Sequence, residues 1–247
     1  MTRGFTDIHH HLLYGVDDGP QTLKSAFKMA EAAWRQGTRT VIATPHVSPG
    51  ISSFSRDLFE ERLEELQEAC GKNSVDLRIL LGAEILYTDG TGEYLQQRRI
   101  PTLAGSDYVL VEFVPNLSYD EVRSALTRIL RAGNIPVVAH VERYASLVFA
   151  PRRMKALKRE LGDVLFQMNA STVLGGKGFF GDLCAKRMLD AGLVDIIASD
   201  AHNLSSRPTR MLEAFEILKK RYGGAHAARM TGLVAKGEFW QTILGGE

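Results

Sequence analysis

Short runs of branched apolar residues recur along the chain, separated by longer stretches whose apolar positions return every third or fourth residue. The runs predict strands at 4–9, 38–43, 77–83, 108–113, 135–140, 164–169 and 194–199. The stretches between them predict helices at 23–36, 57–69, 119–132, 152–161, 183–191 and 209–222, with shorter helical pieces after Gly224. Strands that alternate with helices in this order are parallel and joined by crossover helices, the pattern of an α/β barrel. Gly37, Gly71, Gly133 and Gly192 each follow a predicted helix, where a residue without a Cβ suits the left-handed turn that ends it. The patch Gly175-Gly176-Lys177-Gly178 lacks the spacing of a phosphate loop and is expected to be a surface loop. No linker rich in Pro, Ser and charge interrupts the alternation, so residues 1–247 are expected to fold as one domain.

Of the 247 residues 45% are hydrophobic and 24% charged, which suffices for a sizeable core, and the net charge is only +1. So balanced a chain offers no field to draw it to nucleic acid or to an anionic membrane. No apolar run approaches the roughly 18 residues of a membrane span. Asp7 and the histidines beside it arrive too early for the apolar core of a signal peptide, so a cytoplasmic protein that is not membrane-inserted is the expectation. Cys70 and Cys184 sit among residues that read as helical and are expected to be reduced packing thiols. Neither opens the Cys-x5-Arg pattern of a cysteine phosphatase, because Asp76 and Asp190 stand where Arg is required.

The chemistry lies at the ends of the strands. In Asp7-Ile8-His9-His10-His11, strict alternation along a strand puts Asp7, His9 and His11 on one face and Ile8 and His10 on the other, so His9 and His11 can share a cation. The same event then repeats: His46 follows Val41-Ile42-Ala43-Thr44-Pro45, and Glu84 follows Ile79-Leu80-Leu81-Gly82-Ala83. Glu112 ends Val109-Leu110-Val111, His140 ends Pro136-Val137-Val138-Ala139, and Asp200 and His202 follow Asp195-Ile196-Ile197-Ala198-Ser199. Six of the seven predicted strands thus carry a metal-ligating side chain at or just beyond the C-terminal end, the rim where barrel active sites form. A carboxylate such as Glu112 in an apolar run is costly unless paired or bound to metal.

Imidazoles and carboxylates without thiolate suit Mn²⁺, Fe²⁺, Zn²⁺ or Mg²⁺. There are too many of them for one tetrahedral ion, which favours a multinuclear site with ions roughly 3.5–4 Å apart. Asp18, in the turn Val16-Asp17-Asp18-Gly19-Pro20, is a further candidate ligand, and Asp17 is expected to brace that loop. Arg143 and Arg207 stand close in sequence to these ligands, and a guanidinium fork matches the oxygens of a phosphate dianion.

Taken together, these motifs resemble the polymerase and histidinol phosphatase (PHP) superfamily. More narrowly, the chain is similar to the PHP-type bacterial protein-tyrosine phosphatases of capsular and extracellular polysaccharide synthesis. The resemblance is carried by Asp7-Ile8-His9-His10-His11, Asp17-Asp18-Gly19-Pro20, Thr44-Pro45-His46, Gly82-Ala83-Glu84-Ile85, Glu112-Phe113, His140-Val141-Glu142-Arg143-Tyr144, Asp200-Ala201-His202-Asn203 and Ser206-Arg207-Pro208. His10 and Tyr14 depart from the family's pattern, and neither is a ligand.

The resemblance implies a distorted (β/α)7 TIM-like barrel with a cluster of three divalent ions, commonly Mn²⁺. It assigns His9, His11, Glu84 and Asp200 to the first ion, Glu84, Glu112 and His140 to the second, and Asp18, His46 and His202 to the third. Arg143 and Arg207 match the arginines that bind phosphate. The partner it implies is a phosphotyrosine protein, the tyrosine-rich tail of a bacterial tyrosine autokinase. The mechanism expected is single-step phosphomonoester hydrolysis by activated water, with His202 a candidate proton donor. Two other functions suit parts of the pattern: a small-molecule phosphomonoesterase of the histidinol-phosphatase kind, and a non-catalytic, metal-stabilised regulatory module.

Overall fold

Parallel strands that are covered by helices outside and face one another inside must be apolar on both sides, and the strands of this chain are buried along nearly their whole length. The computed structural model describes residues 4–176, 178–234 and 237–245. Among these, the strand segments are β1 (Phe5–His10), β2 (Thr38–Ala43), β3 (His46–Val47), β4 (Arg78–Leu81), β5 (Glu84–Leu86), β6 (Tyr108–Glu112), β7 (Ile135–Val138), β8 (Leu165–Asn169) and β9 (Ile196–Ala198). All pair in parallel, in the orders β1-β2-β4 and β3-β5-β6-β7-β8-β9.

These segments make seven staves, because β2 runs on into β3 and β4 into β5. The interruptions fall at Thr44-Pro45 and Gly82-Ala83. Pro45 has no N–H for a ladder, and a Cβ on Gly82 would lie 2.9 Å from Ile42 Cγ2. The staves stay joined across the break, where the Gly82 N–H donates to Ala43 O at 2.8 Å and the Glu84 N–H to Pro45 O at 3.1 Å. At the other seam the Asp200 N–H donates to His9 O at 2.8 Å and the His11 N–H to Ala201 O at 2.9 Å, which closes β9 onto β1. A short turn, Leu103–Gly105, packs against both β4 and β6 where those two do not pair. The result is the distorted seven-stave barrel that the family resemblance implies.

Its lumen holds Ile8, Ile42, Leu110, Val137, Ala139, Ile196 and Ala198. The helix Glu238–Leu244 closes the base by adding Phe239, Trp240 and Ile243 to that cluster. This is the end where strands begin: Tyr108, first in β6, meets the Phe239 ring at 4.8 Å, and Arg78, first in β4, donates to Leu244 O at 3.2 Å. The turn before the helix requires Gly232, whose φ is +62 and whose added Cβ would lie 2.7 Å from Thr6 Cβ.

Outside, the helices turn one apolar face to the barrel. Helix Leu23–Arg35 buries Ala26, Met29, Ala30 and Ala33 behind a Thr22 cap, and Tyr119–Arg131 buries Val122, Ala125, Leu126 and Ile129 behind a Ser118–Glu121 capping box. Such caps contribute about 1 kcal/mol each. The helix expected from 183 begins earlier, as Gly178–Asp190, so Gly178 of the glycine-dense patch opens a helix and is not part of a loop. At another helix end, Gly71 lies inside helix Arg56–Lys72, and the left-handed residue beyond it is Ser74, φ 57. The apolar face, still in use at Leu66 and Cys70, carries the helix past the glycine. Three short helices, Thr91–Gln96, Ala145–Val148 and Ala170–Val173, were not anticipated, each being too brief to show a periodic stripe. Lys177, in the glycine-dense patch, lies outside the described residues. Both cysteines are free and buried.

Candidate functional site

The register of β1 decides where its histidines go. Asp7 pairs with Val41 and His10 with Ala43, so Ile8 and His9 together oppose the single residue Ile42, a β-bulge. The bulge lets Ile8 turn into the lumen and His9 into the rim cluster. His10 goes to the other side beside Ala43, with both ring nitrogens buried and unpartnered. Burial there, followed by the neighbouring His11, pulls its pKa down to about 3. The strict alternation that groups Asp7 with His9 therefore fails: Asp7 Oδ1 accepts the Ser199 N–H at 2.9 Å and ties β1 to β9 instead.

Glu84 is the hub of what gathers at the rim. Its Oε2 lies 3.2 Å from His9 Nε2, 3.1 Å from His11 Nε2 and 3.1 Å from His46 Nδ1, and its Oε1 lies 2.7 Å from His140 Nε2. Three groups of side chains could each hold a cation, their ligand atoms all within 4.8 Å of one another: His9, His11, Glu84 and Asp200; His46, Glu84 and Glu112; and His11, Asp18, His46 and His202. His140 Nε2 stands 3.5 Å from Glu112 Oε2, against the second group. All nine side chains singled out as candidate ligands thus meet in one place. His46 lies between two groups, Nδ1 toward Glu84 and Glu112 and Nε2 3.4 Å from Asp18 Oδ1.

A ligating imidazole usually gives its other N–H to an acceptor behind it, which fixes the tautomer. Three of these do so from Nδ1. His9 donates to Gln167 Oε1 at 3.2 Å, His11 to Asp17 Oδ2 at 2.7 Å and His202 to Asp200 O at 3.1 Å, which leaves each Nε2 lone pair for the centre. Asp17 also accepts the Gly19 N–H at 2.9 Å, so it braces its loop as expected. Gln167, Asn169 and Tyr144 were not anticipated. The signal for the first two was two amides spaced by two in the otherwise apolar run Leu165-Phe166-Gln167-Met168-Asn169. Tyr144 accepts the Phe113 N–H at 3.0 Å and meets His140 Nδ1 at 3.3 Å.

Opposite charges shape the titration of the cluster. Burial pulls His9 and His46 down, yet Glu84 with Asp200 for the first, and Glu112 with Glu84 for the second, raise both to about 9. Burial likewise works against Glu84 as a charge, but His9, His11 and His140 hold it well below the usual carboxylate range. His202 is the exception: burial, then the nearby His11, lowers it to about 4, so it is neutral at pH 7. Neutral imidazole suits a ligand and weakens its candidacy as a proton donor. Its Nε2 is buried without a well-aligned hydrogen bond although Asp18 Oδ1 is 3.1 Å away, as expected of a lone pair aimed at a shared centre. The donor set, nitrogen and oxygen without thiolate around a carboxylate hub, fits divalent cations that displace these protons.

The two arginines reach the same cluster. Arg143 Nη2 donates to Asp200 Oδ2 at 2.6 Å, and Arg207 Nη2 to Asp200 Oδ1 at 2.9 Å. Arg207 Nη1 also lies 3.5 Å from Asp18 Oδ2, and both side chains remain partly exposed beside the cluster, 43% and 37%. Tyr14, a departure from the family pattern, is anchored away from the ligands by Arg62, which donates to its hydroxyl at 2.6 Å.

A parallel α/β barrel whose C-terminal rim gathers imidazoles and carboxylates around one carboxylate has the architecture of the barrel metallohydrolases. Comparison with known proteins narrows that class. A family model described as capsular polysaccharide synthesis, CpsB/CapC, matches residues 5–235, and this chain belongs to that family. It is 37% identical over 232 residues to the tyrosine-protein phosphatase CpsB of Streptococcus pneumoniae, covering 91% of this chain and 93% of the relative. It is 31% identical over 221 residues to the tyrosine-protein phosphatase YwqE of Bacillus subtilis, covering 88% and 85%. Among solved structures, work on YwqE from B. subtilis and CpsB from S. pneumoniae, described as unique metal-dependent tyrosine phosphatases, supplies a match of TM-score 0.86 at 28% identity. That match covers 98% of this chain and 95% of the solved one.

Proposed function

We propose that this chain is a metal-dependent protein-tyrosine phosphatase that acts on a bacterial tyrosine autokinase and so regulates capsule or exopolysaccharide synthesis. It works in the cytoplasm as one catalytic domain, residues 1–247. The relatives' tyrosine phosphatase activity and the family's link to capsular polysaccharide support the substrate class. No helix among the described residues is long and apolar enough to cross a membrane.

The observation that carries the reading is the contact of one buried carboxylate, Glu84, with four imidazoles, within reach of two half-exposed arginines. His9, His11, Asp18, His46, Glu84, Glu112, His140, Asp200 and His202 would hold the metal, as three ions with Mn²⁺ the preferred one and Fe²⁺, Zn²⁺ or Mg²⁺ as substitutes. Ions held there would supply Lewis-acid polarisation and lower the pKa of a nucleophilic water toward neutrality. Arg143 and Arg207 orient the phosphate dianion by paired hydrogen bonds, exchanging part of their hold on Asp200 for the phosphoryl oxygens. Tyrosine leaves as a phenolate of parent pKa about 10, so little acid assistance is needed, which agrees with a neutral His202 serving as ligand.

The test is a metal-reconstituted activity panel of phosphotyrosine peptide, phosphoserine peptide, histidinol phosphate and a phosphodiester. Strong preference for phosphotyrosine, abolished by chelation and restored by Mn²⁺, is expected. Turnover that survives chelation would defeat the metal mechanism, and a preference for histidinol phosphate would move the assignment to small substrates.

A further inference from the structure

The segment Leu165–Asn169 makes β8 the one stave without an imidazole or a carboxylate to offer the rim. Its two polar side chains, Gln167 and Asn169, are nonetheless 0% and 4% exposed. A buried carboxamide has to find partners for its donors and its acceptor. Here those partners lie on the staves to either side and on β1.

Gln167 Oε1 accepts the His140 backbone N–H at 2.7 Å and the His9 Nδ1–H at 3.2 Å. Gln167 Nε2 donates to Asn169 Oδ1 at 2.9 Å, and Asn169 Nδ2 donates to Asp200 Oδ2 at 2.7 Å. The polarity of this chain of bonds is forced from one end. The Asp200 carboxylate only accepts, so Asn169 must show it nitrogen. Asn169 then shows oxygen to Gln167, and Gln167 shows oxygen to His9. His9 is left to donate from Nδ1, which keeps its Nε2 lone pair toward Glu84 Oε2 at 3.2 Å and Asp200 Oδ1 at 3.3 Å.

A second, independent feature falls on the same residues. His140 and Asp200, which follow β7 and β9 on either side of β8, both adopt left-handed backbone, φ 32 and φ 54. Residues with side chains rarely rest there unless the surroundings hold them. One is held by Gln167 through its N–H and the other by Asn169 through its carboxylate.

We infer that Gln167 and Asn169 are positioning residues: a relay of amides on β8 that sets the tautomer of His9, fixes the rotamer of Asp200 and clamps the strained backbone of His140. Ligands from three strands are thereby coupled. The inference rests on the cluster being a metal centre, as proposed above.

The test compares Gln167→Leu, Gln167→Glu and Asn169→Leu with the unsubstituted chain. Mn²⁺ affinity is measured by chelator competition, and the imidazole nitrogens by long-range proton–nitrogen spectra of the Zn²⁺-loaded, diamagnetic protein. Gln167→Leu and Asn169→Leu should weaken Mn²⁺ binding by ~10–100-fold, the usual cost of removing a group that orients a ligand. Gln167→Leu should also lose the downfield, slowly exchanging Nδ1–H signature of a hydrogen-bonded His9. Gln167→Glu still accepts from His9 and His140 but cannot donate to Asn169, so it should keep that signature and bind metal more tightly than the leucine variant. A role in packing alone predicts that both Gln167 variants suffer equally and that the signature stays put. Wild-type affinity in folded Gln167→Leu and Asn169→Leu would overturn the relay. If Gln167→Leu does not fold, Gln167→Glu decides, since loss of the His9 signature there contradicts the proposal. The comparison stands whether or not phosphotyrosine is hydrolysed, whereas a wild-type chain without affinity for Mn²⁺ or Zn²⁺ overturns the metal centre and the relay together.

Discussion

The two ends of the barrel put different demands on the same staves. At the base Phe239, Trp240 and Ile243 fill the lumen with apolar volume, and a tight backbone requirement there is met by a glycine, Gly232. At the rim the staves end in imidazoles and carboxylates packed within hydrogen-bond distance, and His140 and Asp200 bear side chains in left-handed conformation. A base of that kind stabilises the fold through burial, which needs no particular ionisation state. The rim is held only as an assembly of opposite charges, so its stability and its chemistry both depend on what neutralises Glu84 and Asp200. Fold and function therefore respond to different perturbations.

The comparison breaks most sharply at Glu84. Glu84→Ala removes the hub of four imidazoles, and Mn²⁺-dependent hydrolysis of a phosphotyrosine peptide should fall well beyond the ~100-fold typical of residues behind the ligands. Metal content measured on the same sample should fall with it, while the far-ultraviolet dichroism stays that of the folded barrel. At the other end, Trp240→Ala should lower stability by about 3–5 kcal/mol in chemical denaturation. The kcat of the fraction still folded and metal-loaded should be unchanged, and a specific loss of kcat would show that the ends are not separable.

Arg143→Ala and Arg207→Ala come next, with kcat/KM expected to drop by ~10²–10³-fold if each stabilises charge on the transferring phosphoryl group. An effect confined to metal content would place them behind Asp200 instead of on the substrate. The smallest effect is one of pH. His9 and His46, raised from an ordinary 6.5 to about 9, contribute stability to the metal-free fold that is fully present below about 6.5 and lost as pH rises through about 9. The melting temperature of metal-free protein should fall across that window while Mn²⁺ affinity rises, because the ions replace protons. A metal-free melting curve indifferent to pH there would mean that these imidazolium pairs do not stabilise the rim.

Much of this is legible in the sequence. Apolar runs ending in His46, Glu84, Glu112, His140 and Asp200 announced both the barrel and the rim, since a parallel barrel brings all its strand ends to one face. Less visible were features that depend on pairing between strands. The bulge opposite Ile42 turns Ile8 and His9 the same way, and period-two alternation along one strand cannot register an extra residue relative to its neighbour. Gln167 and Asn169 escaped notice because amides are not ligands, and their importance appears only once β8 lies between β7 and β9. The place of His46 between two groups is a matter of ring orientation, which spacing does not encode. Gly71 misled for a simpler reason: a glycine ends a helix only where the apolar face has also run out.

The most direct measurement is anomalous diffraction at the manganese edge from crystals of Mn²⁺-loaded protein. Anomalous peaks are expected among His9, His11, Glu84 and Asp200, among His46, Glu84 and Glu112, and among His11, Asp18, His46 and His202. Peaks elsewhere, or none while the crystals retain phosphotyrosine phosphatase activity, would contradict a metal centre assembled from the strand ends.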